Sequence, residues 1–212
     1  MLPLNIPIGI FCYLCRVTKA DKTRQHIIES TAPLFNQKGF DGTSLADLTE
    51  ATGLTKGALY GNFASKDEMA LEAFRYSIKR VKAMVRMELE GVSSYKKQLL
   101  ALLGFYSNYV FNPPIPGGCP LLNTAIEADD HHLSMRRIVV KELVSTVDFI
   151  SDLIQKGIDN NEFKATINPA EIAYVIFCSV EGAVMFSRVE RSREPMDIIV
   201  RHCEKIVNQI SK

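Results

Sequence analysis

Three helix-start signals follow one another so closely that they limit what the chain can fold into. Ser44 and Ser65 each begin a capping-box pattern, and Thr55 lies between them as a natural N-cap. Gly53 lies where the first short helix must end in a tight turn. Residues 44–63 (SLADLTEATGLTKGALYGNF) therefore predict two short helices joined by a turn, which is the layout of a helix-turn-helix.

Helical periodicity dominates the rest of the chain, and strand-like alternation is almost absent. Ile27, Thr31 and Phe35 repeat at helical spacing before Gly39, which predicts a first helix ending there and a local kink at Pro33. Further helices are predicted near residues 65–90, 94–111, 119–128 and 134–160, after the Asn168 cap, and from Pro195 onward. We predict an all-α fold of about nine or ten helices.

Composition indicates a globular chain without a globally basic surface. Of the 212 residues, 47% are hydrophobic and 23% charged, which is enough apolar material for a sizeable core. The formal net charge of +1 excludes a protein that coats nucleic acid with uniform positive charge. Residues 1–66 hold seven basic and five acidic side chains, so a small positive excess lies in the N-terminal third.

Cysteine usage and hydropathy predict a soluble, cytoplasmic protein without a membrane partner. Five cysteines form no disulfide framework of the secreted type. The apolar residues 1–15 contain two prolines and lack a preceding basic region, which is unlike a signal peptide. The apolar stretch from Ala170 to Phe186 contains Glu171 and Glu181 and is shorter than the usual span of about 20 residues.

The start of the second motif helix has the chemistry of a DNA contact. A hydroxyl and a cation beside free backbone N–H groups suit phosphate, small residues allow close approach, and Asn can read adenine. These positions are Thr55, Lys56, Gly57, Ala58, Tyr60, Gly61 and Asn62. The pattern alone leaves a second interpretation open, a helical hairpin with a solvated polar face.

The segment TSLADLTEATGLTKGALYGNFASKDE closely resembles the DNA-binding domain of TetR/AcrR-type transcriptional regulators, and the resemblance extends over about residues 21–81. It implies DNA contacts at Thr43, Ser44, Thr55 to Ala58, Tyr60 to Asn62 and Lys66, and a phosphate contact at Arg24. Many relatives carry a larger residue at the position of Gly61. The implied organisation is an N-terminal extension (1–20), a DNA-binding domain (21–81, motif 44–63) and an effector-binding and dimerisation domain (82–212).

The last two helices predict self-association. The helix after Asn168 is apolar on two faces, so it must be covered on both sides, and the last helix carries a near-heptad apolar stripe. We expect the interface to include Ile172, Ile176, Ala183, Ile199, Cys203 and Ile206. The alternative is that both helices fill the core of one monomer. The family resemblance implies homodimers on palindromic double-stranded operators, with the last two helices in an intersubunit four-helix bundle.

The larger domain offers candidate effector-binding residues, namely Phe105, Tyr109, Cys119 and Asn123. Aromatic residues at helical spacing also suit plain core. Cys119 opens a helix after two glycines, where the helix N-terminus can lower a thiol pKa and raise its reactivity. The segment around it resembles a junction in relatives that sense electrophiles or oxidants through cysteine. An inert, packed Cys119 is the alternative.

We therefore predict a ligand-responsive regulator, most simply a repressor released by an unidentified small molecule, with no cofactor, metal or catalytic activity. Residues 129–132 (DDHH) could bind a divalent ion but fit a solvated helix end better, and Cys12 and Cys15 lack a second pair. An enzyme using Cys119 with His131 or His132 as base, and a helical adaptor that does not bind DNA, remain as other classes.

Overall fold

The computed structural model describes residues 18–129 and 133–212, with side chains for 18–129 and 135–212. Within these ranges it contains nine α-helices and no β-strand, which confirms the all-α prediction. The helices are α1 (Lys19–Gly42), α2 (Leu45–Thr52), α3 (Lys56–Asn62), α4 (Lys66–Leu89), α5 (Tyr95–Tyr109), α6 (Pro120–Ala128), α7 (Leu133–Asp159), α8 (Pro169–Glu190) and α9 (Glu194–Ile210).

Local capping signals place the first helices where the sequence predicts them. Ser44 and Asp47 form the reciprocal capping box of α2. Hydrogen bonds from Lys38 and Ser44 lower the pKa of Asp47 to about 2, so the carboxylate that closes the box is charged at neutral pH. The backbone of α1 leaves helical angles at Gly39, where the helix end was predicted, and not at Pro33, where we predicted a kink.

The first four helices share a small hydrophobic core. Its buried members come from each of these helices and are Ile27, Ile28, Leu48, Leu59, Phe63 and Met69. Leu59 and Phe63 face inward as the helical spacing predicts, which leaves the opposite side of α3 in solvent.

The six helices from α4 to α9 form a second, larger core, and α4 contributes side chains to both cores. Met69 packs in the small core, while Phe74 and Ile78, one to two turns later, pack in the large one. A single continuous helix therefore joins the two cores, and a tilt of α4 moves both.

A cluster of amide hydrogen bonds makes a second connection between the cores. Nδ2 of Asn36 on α1 donates to the backbone oxygens of Pro116 (2.9 Å) and Gly118 (3.0 Å). Nδ2 of Asn123 on α6 donates to the backbone oxygens of Asn36 (2.9 Å) and Gly117 (3.0 Å). The loop before α6 is thus tied to the end of α1.

Of the described helices, α8 alone has the length and apolar composition that a membrane span requires. One side of α8 is buried among α5, α7 and α9 through Ala173, Phe177, Val180 and Val184. The core of a soluble protein accounts for this part of its hydropathy.

We expect Gly117→Ala to destabilise the protein by about 3 kcal/mol and Gly91→Ala by only about 1 kcal/mol. Both glycines have positive φ, 111° and 76°, but a Cβ at 117 would lie 2.6 Å from the Asn36 oxygen, whereas one at 91 meets no atom within 4 Å. Urea unfolding of both variants measures the difference. Equal losses in the two variants would contradict the close approach at Gly117.

Candidate nucleic-acid interface, effector cavity and dimer surface

The exposed side of α3 brings together most of the predicted DNA contacts. Thr55 caps the helix, its Oγ1 accepting from the backbone nitrogen of Ala58 at 3.2 Å. Lys56, Gly57 and Gly61 are exposed, and the Tyr60 side chain is 41% exposed. A hydroxyl, a cation and an aromatic hydroxyl thus share one accessible face, which is the set of groups that contact phosphate and base edges.

Arg24 holds this helix in place and does not present a free cation. Its Nη1 donates to the backbone oxygen of Asn62 at the end of α3, and Nη2 lies 2.7 Å from Oε1 of Glu68 on α4. The guanidinium carbon also lies 4.0 Å from the centroid of the Phe63 ring. Arg24 thus has a structural role, because its charge is paired within the domain, and the phosphate contact at Arg24 stays a prediction.

Thr43 is the one implied DNA contact that the structure buries completely. Its Oγ1 donates to the backbone oxygen of Gly39 at 2.5 Å. A side chain with no accessible surface cannot reach a phosphate, so the prediction of a side-chain contact at Thr43 is wrong. Thr43 instead caps the end of α1, directly before the Ser44 cap of α2.

Three other predicted positions lie at the edge of the α3 face. Ser44 is exposed, although its hydroxyl already bonds Asp47 in the capping box. Nδ2 of Asn62 donates to the backbone oxygen of Ala58 at 2.8 Å, so reading adenine requires that amide to turn outward. The Lys66 ammonium lies 4.3 Å from the centroid of the Phe40 ring, at the start of α4.

A cavity of about 600 Å³ lies inside the larger domain, between α4, α5, α6, α7 and α8. Its volume is that of a typical small-molecule site. Most of its wall is apolar, with Ile78, Val85, Leu102, Leu121, Phe149, Ile150 and Leu153 among the lining residues. Exposed Lys82 and Arg86 on α4, and Glu90 directly after it, line its outer end.

Two of the four predicted effector residues line this cavity and two do not. Tyr109 and Cys119 form part of the wall. Phe105 lies outside it and packs edge-on against Tyr106, with ring centroids 5.3 Å apart. The Asn123 side chain is absent from the wall, because its amide donates hydrogen bonds to the backbone oxygens of Asn36 and Gly117.

Glu181 on α8 is the most unusual group in the cavity wall. It is only 9% exposed, and its Oε1 accepts from Sγ of Cys119 at 3.1 Å. Its Oε2 is buried and has no hydrogen-bond partner, alone among the buried side-chain polar atoms of the described residues. Burial raises the pKa of Glu181 to about 7, and the Cys119 hydrogen bond opposes that shift.

The helix-start position does not activate the Cys119 thiol. Burial, and next the neighbouring Glu181 charge, raise the pKa of Cys119 well above its usual value, although backbone N–H groups of α6 act in the other direction. The prediction of a lowered pKa is therefore wrong, because desolvation outweighs the helix N-terminus. Cys119 is a neutral hydrogen-bond donor to Glu181 in this state.

Sequence reasoning did not identify Glu181 as a cavity residue. The signal was present, because Glu181 is an acid in the apolar middle of α8 and on the same side as Phe177 and Val184. A buried carboxyl in a cavity, with a perturbed pKa, is a candidate functional position. Tyr106, which the aromatic spacing along the same helix as Tyr109 also suggests as a pocket residue, does line the cavity.

An exposed apolar stripe along α8 and the start of α9 is the candidate dimer surface. It consists of Tyr174, Val175, Met185, Phe186 and Val189 on α8 and Ile198 on α9, all more than 40% exposed. A contiguous row of this kind is rare on a monomer surface and marks an interaction site.

Half of the predicted interface residues belong instead to the monomer core. Ile176, Ala183 and Cys203 are buried within one chain, so they cannot contact a partner, and their assignment to the interface is wrong. Ile172 and Ile199 pack partly against the same core, and Ile206 is half-buried. The two apolar faces of α8 were recognised, but the pattern could not show which face turns inward.

The described residues contain no group of three or more acidic, cysteine or histidine side chains placed to hold a metal ion. Asp130, His131 and His132 lie outside the described residues, as do Cys12 and Cys15. The metal and catalytic-base hypotheses for these positions therefore remain sequence-based.

Comparison with known proteins connects these features to a family. Residues 27–73 match the family model "Bacterial regulatory proteins, tetR family", and residues 96–203 match "Tetracyclin repressor-like, C-terminal domain". A TetR-family transcriptional regulator from Cytophaga hutchinsonii is 41% identical, with a TM-score of 0.87 over 92% of this chain and 97% of that one.

More distant relatives share the fold over most of their length. The transcriptional repressor NemR of Escherichia coli K12 is 23% identical, and the match covers 87% of this chain and 94% of NemR. A cysteine mutant of the TetR-family regulator CifR, solved with a 26-base-pair operator duplex, is 20% identical with a TM-score of 0.75, over 85% of this chain and 94% of that one. With a helix-turn-helix followed by a helical domain that encloses a cavity, this chain belongs to the TetR family of transcriptional regulators.

Proposed function

We propose that the protein is a ligand-responsive repressor that binds a palindromic operator as a homodimer and leaves it when a small molecule fills the cavity. The exposed Thr55 to Gly61 face of α3, fixed to α1 and α4 through Arg24, is the observation that carries this proposal. The names of NemR, a repressor, and CifR, solved on operator DNA, support it.

Two-fold symmetry follows from the stripe on α8. A helix pair from each protomer, packed through the stripe, gives a four-helix bundle in which the same surface serves both chains. The two copies of α3 then meet successive major grooves about 34–36 Å apart. A palindromic operator is the DNA counterpart of that symmetry.

The coupling between cavity and DNA runs through the start of α6. Glu181 accepts a hydrogen bond from the Cys119 thiol. The carbonyl of the adjacent Gly118 accepts a hydrogen bond from the amide of Asn36 on α1, at 3.0 Å. A ligand that moves Cys119 therefore moves the end of α1, in addition to any tilt of α4. The coupling free energy of such systems is about 1–3 kcal/mol and reciprocal, so operator DNA weakens effector binding by the same factor.

The remaining assignments are consistent with this role. We assign residues 21–81 to DNA binding and 82–212 to effector binding and dimerisation, although the two cores meet earlier, between Met69 and Phe74. We place the regulator in the cytoplasm, where its DNA is. No catalytic role is proposed, since the bases that an enzyme using Cys119 would need, His131 and His132, lie outside the described residues.

Electrophile sensing is a second candidate, because Cys119 lines the cavity and its thiol already donates to a carboxyl group. An electrophilic alkene in the cavity forms a carbon–sulfur bond with Sγ, the thiol proton passes to Glu181, and the resulting enolate takes up a proton from water. The group added to Cys119 then displaces the start of α6, and this displacement moves Asn36 as a bound ligand does.

Lys56→Ala should weaken operator binding about tenfold, with the larger effect at low salt, because each protomer loses one phosphate contact. The slope of log affinity against log salt should fall by about 1.8 for the dimer, at about 0.9 per phosphate. The measurement is fluorescence anisotropy on a duplex selected from random sequence with the purified protein. Lys141→Ala, an exposed lysine on α7, is the control; an equal effect of both variants would exclude α3 as the DNA contact.

Phe186→Glu should raise the dimer dissociation constant by about 30-fold or more, because it places a charge in the centre of an apolar interface. Analytical ultracentrifugation over a concentration series measures it. Met84→Glu is the matched control, since Met84 is an exposed apolar residue of α4 outside the stripe. A Phe186→Glu protein that remains as dimeric as the wild type would place the interface elsewhere.

Cys119→Ser should abolish DNA release by N-ethylmaleimide if Cys119 is the sensor, because a serine hydroxyl has no sulfur to form the thioether and does not add to a maleimide at neutral pH. Cys178→Ser, which removes an exposed thiol of α8, is the control and should leave the release intact. Release is followed by loss of operator anisotropy after timed treatment. A Cys119→Ser protein that responds like wild type would rule out sensing through this residue.

A further inference from the structure

The unpartnered oxygen of Glu181 indicates which chemistry the cavity binds. Oε2 is buried without a hydrogen bond, while Oε1 of the same carboxyl is already occupied by the Cys119 thiol. A buried acceptor without a donor destabilises the folded state, and a ligand that supplies the donor removes that penalty.

The neighbouring side chains do not supply the missing donor. The Tyr109 hydroxyl lies 3.4 Å from the backbone oxygen of Gly118 and donates there. Around these groups the wall is formed by Leu102, Ile150 and Leu153. The cavity thus has an apolar body and one acceptor at its inner end.

We propose that this cavity binds an apolar small molecule carrying a protonated amine, and that the amine donates to Oε2 of Glu181. The inference rests on the proposed effector role of the cavity and names the chemical class of its ligand. A cationic donor satisfies both the free lone pairs and the negative charge of the carboxylate, which a neutral hydroxyl does only in part. A carboxylic acid ligand would bring a second negative charge to the same place.

The charges at the outer end of the cavity largely cancel. Exposed Lys82 and Arg86 line that end together with Glu90, and Nζ of Lys82 lies 2.6 Å from Oε2 of Glu142 on α7. The outer end therefore offers no unbalanced charge, and the buried carboxyl of Glu181 is the group that attracts a cation into the cavity.

The position of Glu181 connects this contact to the DNA-binding domain. Its other oxygen holds Cys119, whose neighbour Gly118 is bonded to Asn36 on α1. An amine that draws the carboxyl toward itself alters the contact that holds the start of α6. The same residue therefore recognises the ligand and begins the response.

A matched set of probes tests the proposal: 4-phenylbutylamine, 4-phenylbutan-1-ol and 4-phenylbutanoate, measured by isothermal titration calorimetry at pH 8 with the full-length protein. We expect the amine to bind at least about tenfold more tightly than the carboxylate. Glu181→Gln should lower amine affinity by at least about tenfold and alcohol affinity by less than about threefold. Glu90→Gln, the same change at the outer end of the same cavity, should alter neither by more than about threefold.

A second measurement needs no variant and covers the case in which Glu181→Gln does not fold. Because burial raises the pKa of Glu181 to about 7, protonation competes with the amine below that value. Amine affinity of the wild type should rise by about tenfold from pH 6 to pH 8, while alcohol affinity stays constant. The cavity groups that face Glu181 are Cys119, Tyr106 and Tyr109, all with raised pKa values. The Arg188 side chain lies next to Gly118, and its charge opposes the raised pKa of Tyr109, while Lys82, Arg86 and Glu90 lie at the outer end.

Three outcomes overturn the proposal: tightest binding by the carboxylate, no binding of the amine to wild type at millimolar concentration, or amine affinity that neither Glu181→Gln nor pH changes. Anisotropy of a selected operator duplex, read in the same samples, separates this inference from the proposed function. Selective amine binding that leaves the DNA bound supports the ligand class and contradicts the effector response. Release of DNA by all three probes to the same extent supports the effector response and contradicts the ligand class.

Discussion

The amide of Asn36 is the interaction on which the architecture most depends. It lies on the first helix, within the DNA-binding unit, yet both of its donor hydrogens are used by carbonyls of the loop that precedes α6. A buried amide must find partners or destabilise the fold, so the end of α1 and this loop are held in one arrangement. The left-handed backbone at Gly117 permits that approach, and Asn123 completes the cluster from the other side. This cluster and α4 are two routes by which a signal from the cavity can reach the DNA-binding unit.

Most of the helix boundaries could be predicted because they are set locally. Ser44, Thr55 and Ser65 each cap a helix through their own side chain, and Asn168 does the same for α8, so a few neighbouring residues contain the information. The inward direction of Leu59 and Phe63 also follows from helical spacing. The all-α fold and the exposed side of α3 were therefore predictable from sequence.

The errors arise where packing, and not local spacing, decides the outcome. Thr43 is completely buried, although its hydroxyl bonds Gly39 only four residues earlier. The ion pair of Arg24 with Glu68 joins residues 44 positions apart, which spacing along the chain does not connect. The inner face of α8 was misassigned because both of its faces are apolar. Cys119 has the helix-start position of a reactive thiol, and only the three-dimensional burial beside Glu181 reverses its pKa shift. Desolvation is a property of the packed protein, so no local pattern could predict it.

The glycine in the middle of the recognition face has an evolutionary consequence. No atom lies within 4 Å of where a Cβ of Gly61 would be, and the position is exposed on the side of α3 that faces solvent. Almost any side chain can be accommodated there without displacing a neighbour, and most of them favour a helix over glycine by about 0.5–1 kcal/mol. Mutation at this codon can therefore explore new DNA sequences without loss of folding stability. A duplicated copy of such a regulator could acquire a different operator in a single step while its dimer and its ligand response remain intact.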